Sequence, residues 1–113
     1  MILSELVEHF DLKVYAGRND LNRKISGGYA SDLLSDVIAH GQKDHLWVTL
    51  QIHPNIIAVA VLKDLTAIVL VNGREPAAET IERAEKERVP IIGTSLSAFE
   101  FVGKVYGLGI QGA

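Results

Sequence analysis

The chain has 113 residues, enough for one domain with a real core and too few for two ordinary ones. Its 48% hydrophobic and 22% charged content excludes intrinsic disorder, and a formal net charge of −3 with scattered Lys and Arg excludes a general attraction to nucleic acid or to anionic membranes. The absence of cysteine removes disulfides, thiolate catalysis and cysteine-ligated metal sites.

Leu3, Leu6, Val7 and Phe10 recur at i, i+3, i+4 and i+7, which predicts a short amphipathic helix. With acidic residues in this stretch and no basic flank, the amino terminus does not read as a signal peptide. Leu12 to Ala16 alternates and stops at Gly17, the pattern of a strand, and the polar Arg18 to Lys24 predicts a loop. A second strand runs from Ile25 to Tyr29, where Gly27-Gly28 imply a bulge or a close backbone approach. Ser31 is placed to cap a helix from Asp32 to about His40, with Asp32 near its positive end and Gly41 at the C′ position.

Leu46 to Leu50 is an apolar strand, and Pro54 then opens a helix over Ile56 to Leu62. That run is apolar all round, so it must be buried on every side, and this predicts a homodimer in which a second subunit covers it. It is also the longest apolar run and falls far short of the ~20 residues that span a bilayer. The expected location is cytoplasmic. Ala67 to Val71 is the next strand, and Pro76 opens a helix striped by Ala77, Ile81 and Ala84. Glu79 with Arg83 and Glu82 with Lys86 stand there at i, i+4 in the favourable order. Val89 to Ile92 is the last strand, and a helix starting after Ser95 or Ser97 runs to about Tyr106.

Near-continuous apolar strands alternating with helices predict an α/β fold: one three-layer α/β/α domain over residues 1–113 with a mostly parallel sheet of about five strands. Such sheets bind ligands at the carboxyl ends of their strands. The loops gathered there are Gln51-Ile52-His53, Asn72-Gly73-Arg74-Glu75 and Gly93-Thr94-Ser95. The candidate ligand-binding residues are therefore His53, Asn72, Gly73, Arg74, Thr94 and Ser95. Gly73 permits positive φ, Arg74 offers a planar fork suited to phosphate or carboxylate, and Thr94 and Ser95 add hydroxyls at a helix start. The competing readings are a tight turn with a solvated Arg74, N-capping by the hydroxyls, and a capping or packing role for His53.

No catalytic set emerges, and no metal or cofactor is expected. Gly107 to Gly112 spells G-x-G-x-x-G but has no helix after it, so it reads as a flexible tail. Gly103-Lys104 lacks the rest of a P-loop. His9, His40 and His45 read as surface or helix-end residues, as do Asp32, Asp36 and Asp64.

The stretch Trp47-Val-Thr-Leu-Gln-Ile-His-Pro-Asn55, with Ile68-Val-Leu-Val-Asn-Gly-Arg-Glu-Pro76 and Val89-Pro-Ile-Ile-Gly-Thr-Ser95, resembles the DRTGG domain. That small module occurs alone and inside some phosphotransacetylases and CBS-domain pyrophosphatases. The opening, Leu3 to Glu8 and Leu12 to Gly17, is similar to the start of the amino-terminal domain of HPr kinase/phosphorylase. In many relatives a Thr-Gly-Gly-like loop stands at Asn72-Gly73-Arg74, and Gly-Asp-Arg stands at Ile52-His53-Pro54. Gly73 and Pro76 match the pattern. The resemblance implies a non-catalytic regulatory α/β/α module that pairs with itself, with an adenine nucleotide or other phosphorylated metabolite as ligand. The alternative is a self-associating interaction module with no small ligand.

Overall fold

The computed structural model describes residues 1–112. Its elements are α1 (Leu3–Phe10), β1 (Lys13–Ala16), β2 (Gly27–Ala30), α2 (Leu34–His40), β3 (His45–Thr49), α3 (Asn55–Lys63), β4 (Ala67–Leu70), α4 (Ala78–Glu87), β5 (Ile91–Gly93) and α5 (Ala98–Gly107), with one 3-10 turn at Arg18–Asp20. The sheet order is β1-β5-β4-β3-β2. β2 to β5 pair in parallel, and β1 joins β5 antiparallel with a register shift between Val14 and Ala16. This is the expected α/β architecture, a five-stranded, mostly parallel sheet between two helical layers.

Side chains alternate across the sheet and divide the core in two. Leu46, Val48, Val69 and Ile92 pack under α1 and α5 through Leu3, Leu6, Phe101 and Val105. Trp47, Ile68, Leu70 and Ile91 pack under α2, α3 and α4 through Val37, Ile56, Ile57 and Ala84. The Trp47 indole N–H donates to the Ser31 carbonyl at 2.8 Å, so its burial leaves no polar atom unpaired.

Several local expectations are corrected. α2 starts at Leu34 because the Asp32 carboxylate is committed elsewhere, accepting from Thr49 Oγ1 at 2.8 Å and from the Leu50 N–H at 2.7 Å. Ser31 Oγ accepts from Leu33 N within that turn and does not cap the helix. β2 begins two residues later than expected, at Gly27. A side chain there would stand 2.6 Å from the Gln111 carbonyl, which is the close approach its glycines implied. The tail is docked: Ile110 enters the core and Gln111 O accepts from Gly28 N at 3.0 Å.

His45 is buried on β3, not on the surface. α3 is enclosed on only part of its circumference, with Val59 and Ala60 buried and Val61 and Leu62 exposed. Neither the Glu79–Arg83 nor the Glu82–Lys86 pair closes within ion-pair distance among the described residues.

Candidate functional site

The carboxyl ends of β2, β3, β4 and β5 share one rim. Beyond β4 the chain reverses through Asn72 and Gly73, at φ 58° and 65°, and Arg74 N donates back to Val71 O at 3.1 Å. Two consecutive positive φ values define a type I′ turn, which Asn-Gly suits. The turn is fastened to the next loop, with Asn72 N donating to Leu96 O at 2.8 Å and Gly73 N to Thr94 O at 2.9 Å. Both amides are therefore spent on the protein.

Arg74 Nε donates to Leu50 O at 3.2 Å, and the rest of its exposed guanidinium is open to solvent. Thr94 Oγ1 accepts from Leu96 N, and Ser97, rather than Thr94 or Ser95, caps α5 by accepting from Glu100 N. Ser95 is exposed. His53 is exposed at the start of α3, where its carbonyl accepts from Ile56 N at 3.1 Å.

The six predicted residues are not gathered in one cavity. Gly73, Thr94 and Ser95 line a groove of about 480 Å³ together with Phe10, Asp11, Lys13, Tyr15, Gly93 and Leu96. Arg74 lies on the β3 side of the turn, away from that groove, and His53 is outside it. Sequence reasoning missed Lys13 and Tyr15. β1 runs antiparallel, so its amino end meets the carboxyl end of β5, with Lys13 opposite Gly93. The signal was available: of all the strands, β1 alone is followed by another strand without an intervening α-helix, which frees it from the parallel crossover rule. Lys13 Nζ stands 4.9 Å from the Tyr15 ring centroid, a cation above an aromatic face.

A second depression of about 170 Å³ lies on the β2–β3 side of the rim, where Asp32, Ser31 and Thr49 meet the first residue of α5. It has no cationic side chain in its lining, which sets it apart from the groove that holds Lys13 beside Asp11. A third polar group fastens α2 to β2: the Tyr29 hydroxyl donates to Asp36 Oδ2 at 2.9 Å, and His40 Nδ1 lies 3.1 Å from Asp36 Oδ1. The Ser31 and Tyr29 hydroxyls, then His40, hold the Asp36 carboxyl below its usual range. The same Asp36 contact raises the Tyr29 phenol. Burial lowers the pKa of His45. Among the described residues, no group of three or more His, Asp or Glu is placed to hold a metal ion.

No protein-family model and no curated protein matches the sequence. Among solved structures the chain is similar to the CBS and DRTGG domains of the regulatory region of Clostridium perfringens pyrophosphatase, crystallised with the activator diadenosine tetraphosphate. The TM-score is 0.72 at 11% identity, over 97% of this chain and 47% of that one. This chain thus spans about half the length of its structural neighbour. The likeness supports a DRTGG-like fold.

Proposed function

We propose that this chain is a non-catalytic, cytoplasmic regulatory module of the DRTGG kind. It senses an adenine nucleotide or another phosphorylated metabolite at the carboxyl rim of its sheet. The observation that carries the reading is the groove beside the Asn72-Gly73 turn, which sets the Lys13 ammonium, the Tyr15 ring and the Thr94 and Ser95 hydroxyls around one space. An ammonium binds phosphate as a point charge, a ring gives a base a face to stack on, and hydroxyls serve oxygen atoms. Arg74 supplies a second cation from across the turn. The neighbouring fold belongs to a regulatory region with a dinucleotide activator, which supports the same choice of ligand.

The test is a thermal-shift series with AMP, ADP, ATP, diadenosine tetraphosphate and sugar phosphates. A ligand that binds only the folded state stabilises it by RT ln(1 + [L]/Kd), about 2.7 kcal/mol at a hundredfold excess over Kd. A raised Tm that is lost in Lys13→Ala supports the proposal, whereas no shift with any of these compounds overturns the sensing role. ATP turnover that survives Arg74→Ala overturns the non-catalytic part.

The second reading is a self-associating interaction module without a small ligand, and homodimerisation belongs to both readings. It is favoured by the large apolar side chains left on the surface, Phe99 at 87%, Leu62 at 66% and Tyr106 at 56% exposure.

A further inference from the structure

The most anomalous surface of the molecule is the outer face of α5. Phe101 and Val105 point into the core and fix the helix's inward direction. At about 100° per residue the opposite pole falls on Gly103. A side chain added at Gly103 or at Gly107 would meet nothing within 4 Å. Phe99 and Tyr106 stand on one flank of that pole, and Glu100 and Lys104 on the other. Neither Glu100 nor Lys104 makes an ion pair among the described residues, although they sit at i, i+4 in the favourable order. One bare stripe of helix backbone is thus bordered by two exposed aromatics and two unused opposite charges.

We propose that α5 is a self-recognition face: two copies of this chain pair through α5, antiparallel, across a two-fold axis at Val102–Gly103. The inference rests on the self-association named above and assigns the surface that performs it. The two-fold is favoured by the order of the residues. An axis at this point sets Phe99 of one copy opposite Tyr106 of the other, and the same operation brings Glu100 beside Lys104 of the other copy. Each contact occurs twice, as an isologous interface requires. Gly103 lets the helix backbones come close, so the aromatic rings overlap instead of holding the helices apart.

One helix pair alone falls short of the roughly 1,000 Å² expected of a specific interface. The apolar groove of about 240 Å³ beside α5, lined by Ala30, Val48, Val102 and Tyr106, continues the same surface toward the open edge of β2. The competing apolar face is on α3, where Val61 and Leu62 adjoin Arg83 and Glu87. It lacks the matched order of aromatic and charged residues.

The experiment is sedimentation velocity over a concentration series of the full chain, with charge-reversed and truncated variants. The wild type should be a dimer. Glu100→Lys should weaken it about tenfold or more, because each end of the helix pair then opposes like charges. Lys104→Glu should do the same, and the double variant should return to within about threefold of wild type. Phe99→Ala should abolish the dimer without lowering the monomer's Tm, since an exposed ring contributes little to folding. Failure of the double reversal to rescue association overturns the antiparallel pairing. A dimer indifferent to all α5 variants but broken by Leu62→Asp overturns the α5 face and leaves self-association standing. A monomer at every concentration overturns both.

Discussion

The two edges of the sheet solve the same problem in opposite ways. An edge strand presents unpaired backbone groups that must be kept from joining a foreign strand. At the β1 edge the chain runs antiparallel, shifts register between Val14 and Ala16, and places Lys13 over the Tyr15 ring. Charge and irregularity block that edge. At the β2 edge the strand is small and smooth, Gly27-Gly28-Tyr29-Ala30, and the chain's own tail covers Gly28 N through Gln111 O. What remains there is apolar. The first edge therefore provides groups that can hold a charged small molecule, while the second, with α5 beside it, provides surface that another protein can cover.

The largest expected effect separates the edges by ligand. Lys13→Ala should weaken binding of a phosphorylated ligand by about 1.5–3 kcal/mol, the value of a hydrogen bond to a charged group, and Arg74→Ala, which lies outside the groove, by less. Folding stability should move by no more than ~0.5 kcal/mol, since both side chains are exposed. Phe99→Ala should leave the affinity unchanged. Calorimetric titration of the three variants checks this, and a loss of affinity in Phe99→Ala would move the ligand to the β2 side.

A second substitution pair compares the edges in stability. Gly27→Ala puts a methyl 2.6 Å from the Gln111 carbonyl and 3.0 Å from His45 Nε2, atoms held by the backbone and by burial. The expected cost is about 2 kcal/mol, in the range for overpacking. Gly93→Ala, on the β1 side, meets the edge of the Tyr15 ring at 2.7 Å. That ring is only half-buried and is the far end of a side chain rather than backbone, so the cost should be about 1 kcal/mol. Urea denaturation of both variants measures the difference, and the reverse order would show that the tail does not lock the β2 edge.

Much of the architecture was legible because it is local. Three apolar runs set β3, β4 and β5, three of the four parallel strands, and the recurrence of Leu3, Leu6, Val7 and Phe10 set α1. The type I′ turn was written in Asn72-Gly73. What escaped depends on contacts between distant residues. Asp32 reads as a helix-end charge until Thr49, at the end of β3, and Leu50 just after it claim its carboxylate. His45 reads as a surface residue until Gly27 admits its ring beneath the tail. Lys13 enters the candidate site through the direction of β1, which pairs with a strand near the other end of the chain. The six candidate residues were expected on one rim, and the sheet order, which puts the β5 and β3 loops on opposite sides of the β4 turn, divides them so that Gly73, Thr94 and Ser95 share a groove without His53 or Arg74.

The smallest expected effect is one of pH, and it too belongs to the β2 side. Burial disfavours the charged imidazole of His45, so its folded pKa lies below the ordinary 6.5. Below pH 6.5 the unfolded chain then binds a proton that the folded chain resists, and stability falls as pH drops through 6.5 toward the folded value. Asp36 acts in a lower window: its carboxyl is held below 3.8, so its contribution is complete above that pH and is lost as pH falls through the folded value. Urea melts at pH 7.5 and 5.5 should therefore show a loss in the wild type that is absent in His45→Gln and retained in Asp36→Asn. If His45→Gln shows the same loss, the acid-sensitive group lies elsewhere, and the β2 edge is held by its backbone contacts alone.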